Sequence, residues 1–135
     1  MSTKIFVNLP VNDLEASKNF YTKLGFTINP QFTNENAACV VISDTIYVMI
    51  LTKAFFKGFT KKIIIDASTS TEALFAISVE SRAEVSELTK RALAAGGEMQ
   101  REPEDHGWMY SESFQDLDGH IWEAVWMDDS HIEKA

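Results

Sequence analysis

A chain of 135 residues, 45% hydrophobic and 24% charged, is long enough for one domain with a real core, and its near-average composition points to a globular chain rather than a fibre or a disordered one. A formal net charge of -8 argues against a nucleic-acid partner, because phosphate backbones call for a basic face. No apolar run approaches the ~20 residues of a membrane span, no leader pattern opens the chain, and the lone Cys39 has no internal disulfide partner; a cytoplasmic protein is expected.

Lys4–Val11 (KIFVNLPV) reads as a first strand, rich in β-branched and aromatic residues. Asn12 or Asp13 caps a helix that carries Leu14, Phe20, Tyr21 and Leu24 at helical spacing and stops at Gly25. Three extended segments follow, Phe26–Phe32, Ala37–Ser43 and Ile46–Leu51, the last two joined by a turn at Asp44-Thr45. Cys39, inside AACVVIS, reads as a small core filler. AFFKGF, from Ala54, reads as a partner surface or a pocket lid, and Phe59–Thr71 as a crossing linker without helical period.

The second half repeats this order. Ala73–Val79 reads as a strand, and Ser81-Arg82-Ala83-Glu84 as a capping box. The helix carries Val85, Leu88, Ala92 and Leu93 on one face and stops at Gly96-Gly97. Extended segments follow at Glu98–Arg101, Met109–Asp116 and His120–Trp126, with Asp116-Leu117-Asp118-Gly119 as a hairpin turn and Glu102–Trp108 as a longer loop. Val11 aligns with Val79, Gly25 with Gly96 and Ile46 with Ile121. Five shared elements in one order indicate a duplicated β-α-β-β-β unit, with copies at about 3–58 and 72–128 of a single α+β domain.

Two segments carry a family resemblance. FVNLPVNDLEASKNFYTKLGF resembles the opening strand, helix and Gly-Phe stop of the vicinal oxygen chelate superfamily, which includes glyoxalase I, bleomycin-resistance proteins and extradiol dioxygenases. DLDGHIWEAVW resembles its closing hairpin, Asp-x-Asp-Gly-(Asn/His)-x-x-Glu, and the NLPV opening is similar to a bacterial branch of lactoylglutathione-lyase-related proteins. The resemblance implies two tandem units forming an open half-barrel cavity. It also implies four metal-ligand positions, two per unit, that fall on Glu123 and Asn8 and, through the repeat, on Val48 and Ala76. Valine and alanine carry no donor, whereas a divalent ion wants four or more donors at about 2.0–2.3 Å. No cofactor is therefore expected; a divalent metal, if one binds, would use Glu123 and Asn8.

Glu123 is the candidate catalytic residue. Strand alternation puts Ile121, Val125 and Met127 on its face, surroundings that would strip water from a carboxylate and suit it to proton transfer. The alternative is a relic carboxylate held by hydrogen bonds from Asn8 or a tyrosine. Asn8, Arg101, His106, Trp108 and Tyr110 are the candidate ligand-binding residues. Arg101 either meets a ligand anion, pairs with Glu123 or is a surface arginine at a strand end. His106 is a loop histidine placed where substrate contacts often sit, whereas His120 and His131 read as exposed turn and tail histidines. Trp108, Met109, Tyr110 and Phe114, with Phe55, Phe56 and Phe59, form either the apolar wall of a pocket or core and dimer contacts. Two functions remain open: a metal-free pocket that binds or sequesters a small molecule, and a lyase or isomerase in which Glu123 moves a proton. A homodimer is expected, with no nucleic-acid or membrane partner.

Overall fold

Strand β1 (Ile5–Val11) leads through Asp13, whose carboxylate accepts the Ala16 amide at 3.1 Å, into helix α1 (Leu14–Lys23). The computed structural model describes residues 2–131 and all their side chains except that of His131, so the sequence reading of that histidine lies outside it. Helix α1 buries Leu14, Phe20 and Tyr21, as their spacing requires. Strands β2 (Thr27–Asn29), β3 (Ala37–Val41) and β4 (Ile46–Thr52) complete the first sheet, in the order β1-β4-β3-β2. The extended segment expected through Phe32 is cut short. Pro30 fixes φ and lacks an amide hydrogen, so Pro30–Phe32 turns as a 3-10 helix capped by Asn29. Cys39 is buried in β3, and burial pushes its thiol pKa up, which fits a core filler. The AFFKGF segment is helical: α2 (Lys53–Phe56) runs into a 3-10 turn at Lys57–Phe59.

The second unit runs β5 (Leu74–Ser78), α3 (Arg82–Ala94), β6 (Glu98–Asp105), β7 (Met109–Gln115) and β8 (Ile121–Met127), with sheet order β5-β8-β7-β6. This is the order of the first sheet, with a parallel β1·β4 pair matched by a parallel β5·β8 pair. Two compact units result, residues 1–65 and 66–135, each a four-stranded open sheet with helix, and the fold class is α+β.

Ser81 caps α3 as expected, its hydroxyl accepting the Glu84 amide at 3.1 Å. The returned bond differs: Glu84 accepts from the Glu80 amide at 2.6 Å, one residue before the cap. Val85, Leu88 and Ala92 are buried, and Thr89 joins them in place of Leu93, which is exposed. Thr89 tolerates burial because its hydroxyl donates to the Val85 carbonyl at 3.2 Å.

The larger difference is β6. It continues to Asp105, through residues the sequence suggested as loop, and its ladder with β7 slips on both sides of Arg101. Such bulges leave residues unpaired and change which face the following side chains occupy. Glu102 and Pro103 have no register partner in β7, and proline could not supply the ladder bond in any case.

Candidate functional site

Four residues form a row across the second sheet. Ala76 on β5 pairs with Glu123 on β8, Glu123 with Ser113 on β7, and Ser113 with Arg101 on β6. Directly opposed residues share a face, so this row presents one carboxylate and one guanidinium across two small side chains. Arg101 and Glu123 lie two strands apart, about 10 Å at the backbone. The arginine side chain is long enough to cross the small Ser113, and Arg101 Nη2 donates to Glu123 Oε1. Its other amino group, Nη1, donates to Glu104 Oε1, so the guanidinium is held between two carboxylates. The hydrogen bond to Glu123 is the first cause of the raised Arg101 pKa, reinforced by the charges of Glu123 and Glu104. His106 Nε2 lies 3.5 Å from Glu104 Oε2, on the far side of that carboxylate.

The sheet therefore brings together Arg101, His106 and Glu123, with Glu104 as the link the sequence reading missed. Glu123 keeps 17% of its side chain exposed and Arg101 39%, so both remain reachable. The apolar isolation expected for Glu123 is not found. Ile121, Val125 and Met127 neighbour it along the strand, but its cross-strand neighbours are Ala76 and Ser113, and its carboxylate is paired.

The other candidates have partners of their own. Tyr110 donates its hydroxyl to Glu112 at 2.8 Å, the first cause of its raised pKa, and its ring underlies Arg82. Trp108 is partly exposed, and its carbonyl accepts the Asp128 amide at 2.7 Å. Phe114 is fully buried, a core residue rather than a pocket wall. Asn8 is exposed on the first unit's β1, where its amide donates to the Phe6 carbonyl at 3.2 Å. A groove of about 480 Å³ near the ends of β5 and β8 is lined by Ser78, Glu80, Trp126 and Asp128 among others, and by none of Arg101, Glu104, His106 or Glu123.

Register corrects one repeat assignment. Ala76 pairs with Glu123, and Asn8, its counterpart on β1, pairs with Met49. Val48 pairs with Val7 and Val40 and so lies on the opposite face from Asn8, 1% exposed. Burial agrees: half-buried Glu123 sits between buried Trp122 and Ala124 as half-buried Met49 sits between buried Val48 and Ile50. Met49, not Val48, is the counterpart of Glu123. A thioether suits soft ions only.

A second polar cluster fixes the end of β6. Arg82 forms a bidentate pair with Asp105, at 2.8 and 2.9 Å. That bond, with a further one from the Gly107 amide, holds the Asp105 pKa down at about 2. A carboxylate held below its unfolded value of ~3.9 contributes stability that is present above pH ~4 and is lost as pH falls through its folded pKa of about 2.

The model of the Glyoxalase/Bleomycin resistance protein/Dioxygenase superfamily matches residues 5–124. The chain belongs to this superfamily. Its structure is similar to hypothetical protein SA1046 from S. aureus, with 29% identity, TM-score 0.78, and coverage of 93% of this chain and 95% of that one. It is also similar to a glyoxalase-related enzyme from Fulvimarina pelagi, at 24% identity and TM-score 0.77 over 93% and 88% of the two chains. Fosfomycin resistance protein FosX from Listeria monocytogenes shares the fold, at 22% identity and TM-score 0.66 over 93% of each chain. Among curated proteins, none matches.

The four-ligand metal site that the superfamily resemblance implies does not suit these residues. Asn8 stands beside Met49 and Glu123 beside Ala76, and the Glu123 carboxylate already carries a cation, Arg101. Among the described residues, no three His, Cys, Asp or Glu side chains converge as a metal site.

Proposed function

We propose that the sheet face around Glu123 and Arg101 is the binding site for a small polar molecule, used without a resident divalent ion. One observation carries the reading: Arg101 bridges Glu104 and Glu123 across a row whose other members, Ala76 and Ser113, are small. A guanidinium has five donors, and two bonds to carboxylates leave others for a ligand oxygen, while the paired carboxylates offer acceptors to a ligand N–H or O–H. The site carries both signs within reach of one small molecule. The test is a thermal-shift screen of small polar compounds with metal-stripped protein, hits being mapped by amide chemical shifts. Perturbations centred on residues 101–106 and 123, lost in Arg101→Met, are expected. Hits that map elsewhere, or one tightly held metal per chain that disappears in Glu123→Ala, would overturn the reading.

A second reading, a lyase or isomerase with Glu123 as the proton-transfer group, is favoured by the same arginine. A fixed guanidinium beside the carboxylate would stabilise negative charge that develops on a substrate oxygen as a proton leaves carbon.

The protein is further proposed to pair with a second copy through the α2 segment. Phe55 and Phe59 pack edge to face, ring centroids 5.2 Å apart, yet are 39% and 70% exposed. Light scattering should give a dimer mass at micromolar concentrations that falls to the monomer in Phe59→Glu; a wild-type monomer would refute the pairing.

A further inference from the structure

We propose that Arg82, the first residue of α3, is a positioning residue for the Glu123–Arg101 site, which it reaches through Asp105. The inference rests on the reading of that pair as the site.

Three features of the fold point to it. The segment that carries Glu104 and His106 belongs to an edge strand whose ladder is interrupted, since Glu102 and Pro103 have no register partner in β7. Beyond that gap only a short stretch of pairing resumes, Glu104 with Ser111 and Asp105 with Tyr110, and the His106 amide donates to the Met109 carbonyl at 2.8 Å. Arg82 adds a side-chain anchor to this short stretch. Its Nη1 donates to Asp105 Oδ2 at 2.8 Å, and its Nη2 donates to Asp105 Oδ1 at 2.9 Å and to the Gly107 carbonyl at 2.7 Å. Asp105 Oδ1 also accepts the Gly107 amide at 2.9 Å, so side chain and turn are tied to one guanidinium. Finally, Tyr110 and Trp126 are register partners on β7 and β8, and the Arg82 guanidinium carbon lies 5.3 and 5.1 Å from their ring centroids. The helix start, the end of β6 and two aromatic strand residues thus meet at one side chain.

An exposed ion pair is ordinarily worth little, because two long side chains must be ordered for a screened attraction. Arg82 departs from that case through its bidentate geometry, its third bond and its aromatic platform, which fix the fork before Asp105 arrives. The residues on either side of Asp105 are the ones that count. Glu104 holds Arg101, and His106 lies against Glu104. Moving Asp105 by an ångström moves the carboxylate that orients the Arg101 guanidinium, and through it the partner of Glu123.

The experiment uses the full chain without ligand and reads solvent exchange at the Arg101 guanidinium protons by side-chain NMR. In Arg82→Gln, exchange at Arg101 should quicken about tenfold, as local opening of the β6 end becomes easier. Arg82→Lys should not rescue it, because one ammonium cannot hold both Asp105 oxygens and the Gly107 carbonyl. Asp105→Asn breaks the clasp from its other end with α3 and both rings intact, should show the same increase, and carries the test alone if the Arg82 variants do not fold. Unchanged Arg101 exchange in variants whose melting temperature falls would make Arg82 merely structural and overturn the proposal. Because no ligand enters this measurement, failure of the binding reading would show in the compound screen and not here.

Discussion

Gly119→Ala is expected to destabilise the second unit by about 2–4 kcal/mol, a fall in melting temperature of about 10 °C. Gly119 closes the turn into β8 at φ 96, a conformation that L side chains rarely adopt. Its backbone also lies against the segment at Ala67. A Cβ here would stand 2.5 Å from the Ala67 carbonyl oxygen and 2.9 Å from Ser68 Cα. Backbone atoms cannot swing aside as the end of a flexible side chain would, so the turn itself must move. It has little freedom to do so. Asp116 is buried, and its Oδ1 accepts the Asp118 and His120 amides at 3.0 and 2.9 Å. Gly107 is the internal control, with φ 81 and open space where a Cβ would stand, no atom beyond its chain neighbours lying within 4 Å. Gly107→Ala should show only the conformational penalty, about 1 kcal/mol. Chemical denaturation of both variants measures the difference, and equal losses would mean that the approach to Ala67 does not constrain Gly119.

The hairpin around Gly119 was legible in the sequence because turn chemistry is local: Asp-x-Asp-Gly names its own conformation. The same holds for the Asp13 and Ser81 caps and for the duplicated order of elements, each written in a few adjacent residues or in a repeat. The candidate site was only partly legible. Glu123 is a lone carboxylate in an apolar strand, but strand periodicity names only its neighbours along the strand, whereas the chemistry lies across it. That Arg101 stands opposite Ser113 and reaches Glu123 depends on the bulge between Met99 and Arg101, and the place of Glu104 on a second one after Arg101. Bulges change face parity without leaving a strong local mark; Pro103, barred from a ladder bond, was the one available hint. In the sequence Arg82 stands only as part of a capping box. Its ties to Asp105 and Gly107 span 23 and 25 residues, and no local pattern encodes them. The misplacement of Val48 for Met49 has a related cause: a one-residue slip between repeats exchanges the two faces of a strand, and only cross-strand register reveals it.

Glu123→Gln separates the two functional readings once a ligand is in hand. The replacement keeps the side chain's length and leaves an amide oxygen that can still accept from Arg101 Nη2, so the row Ala76–Glu123–Ser113–Arg101 loses charge but not shape. An amide cannot take a proton from carbon. In a proton-moving enzyme the variant should therefore lose about 10²–10⁴-fold in turnover while the substrate still binds. In a binding protein there is no turnover to lose, and the outcome depends on which half of the ion pair meets the ligand. A ligand whose N–H or ammonium bonds Glu123 should bind about tenfold more weakly or worse, since a charge-assisted bond becomes a neutral one. A ligand whose oxygen bonds Arg101 should bind as well or better, because the guanidinium gives up one competing carboxylate and keeps Glu104. Arg101→Met gives the complementary result, with loss in the second case, and so fixes the orientation of the ligand. Calorimetric affinity, turnover and melting temperature on the two variants supply every quantity the comparison needs. If both variants match the wild type in affinity and turnover and differ only in melting temperature, the pair is a structural ion pair and the site lies elsewhere on the fold.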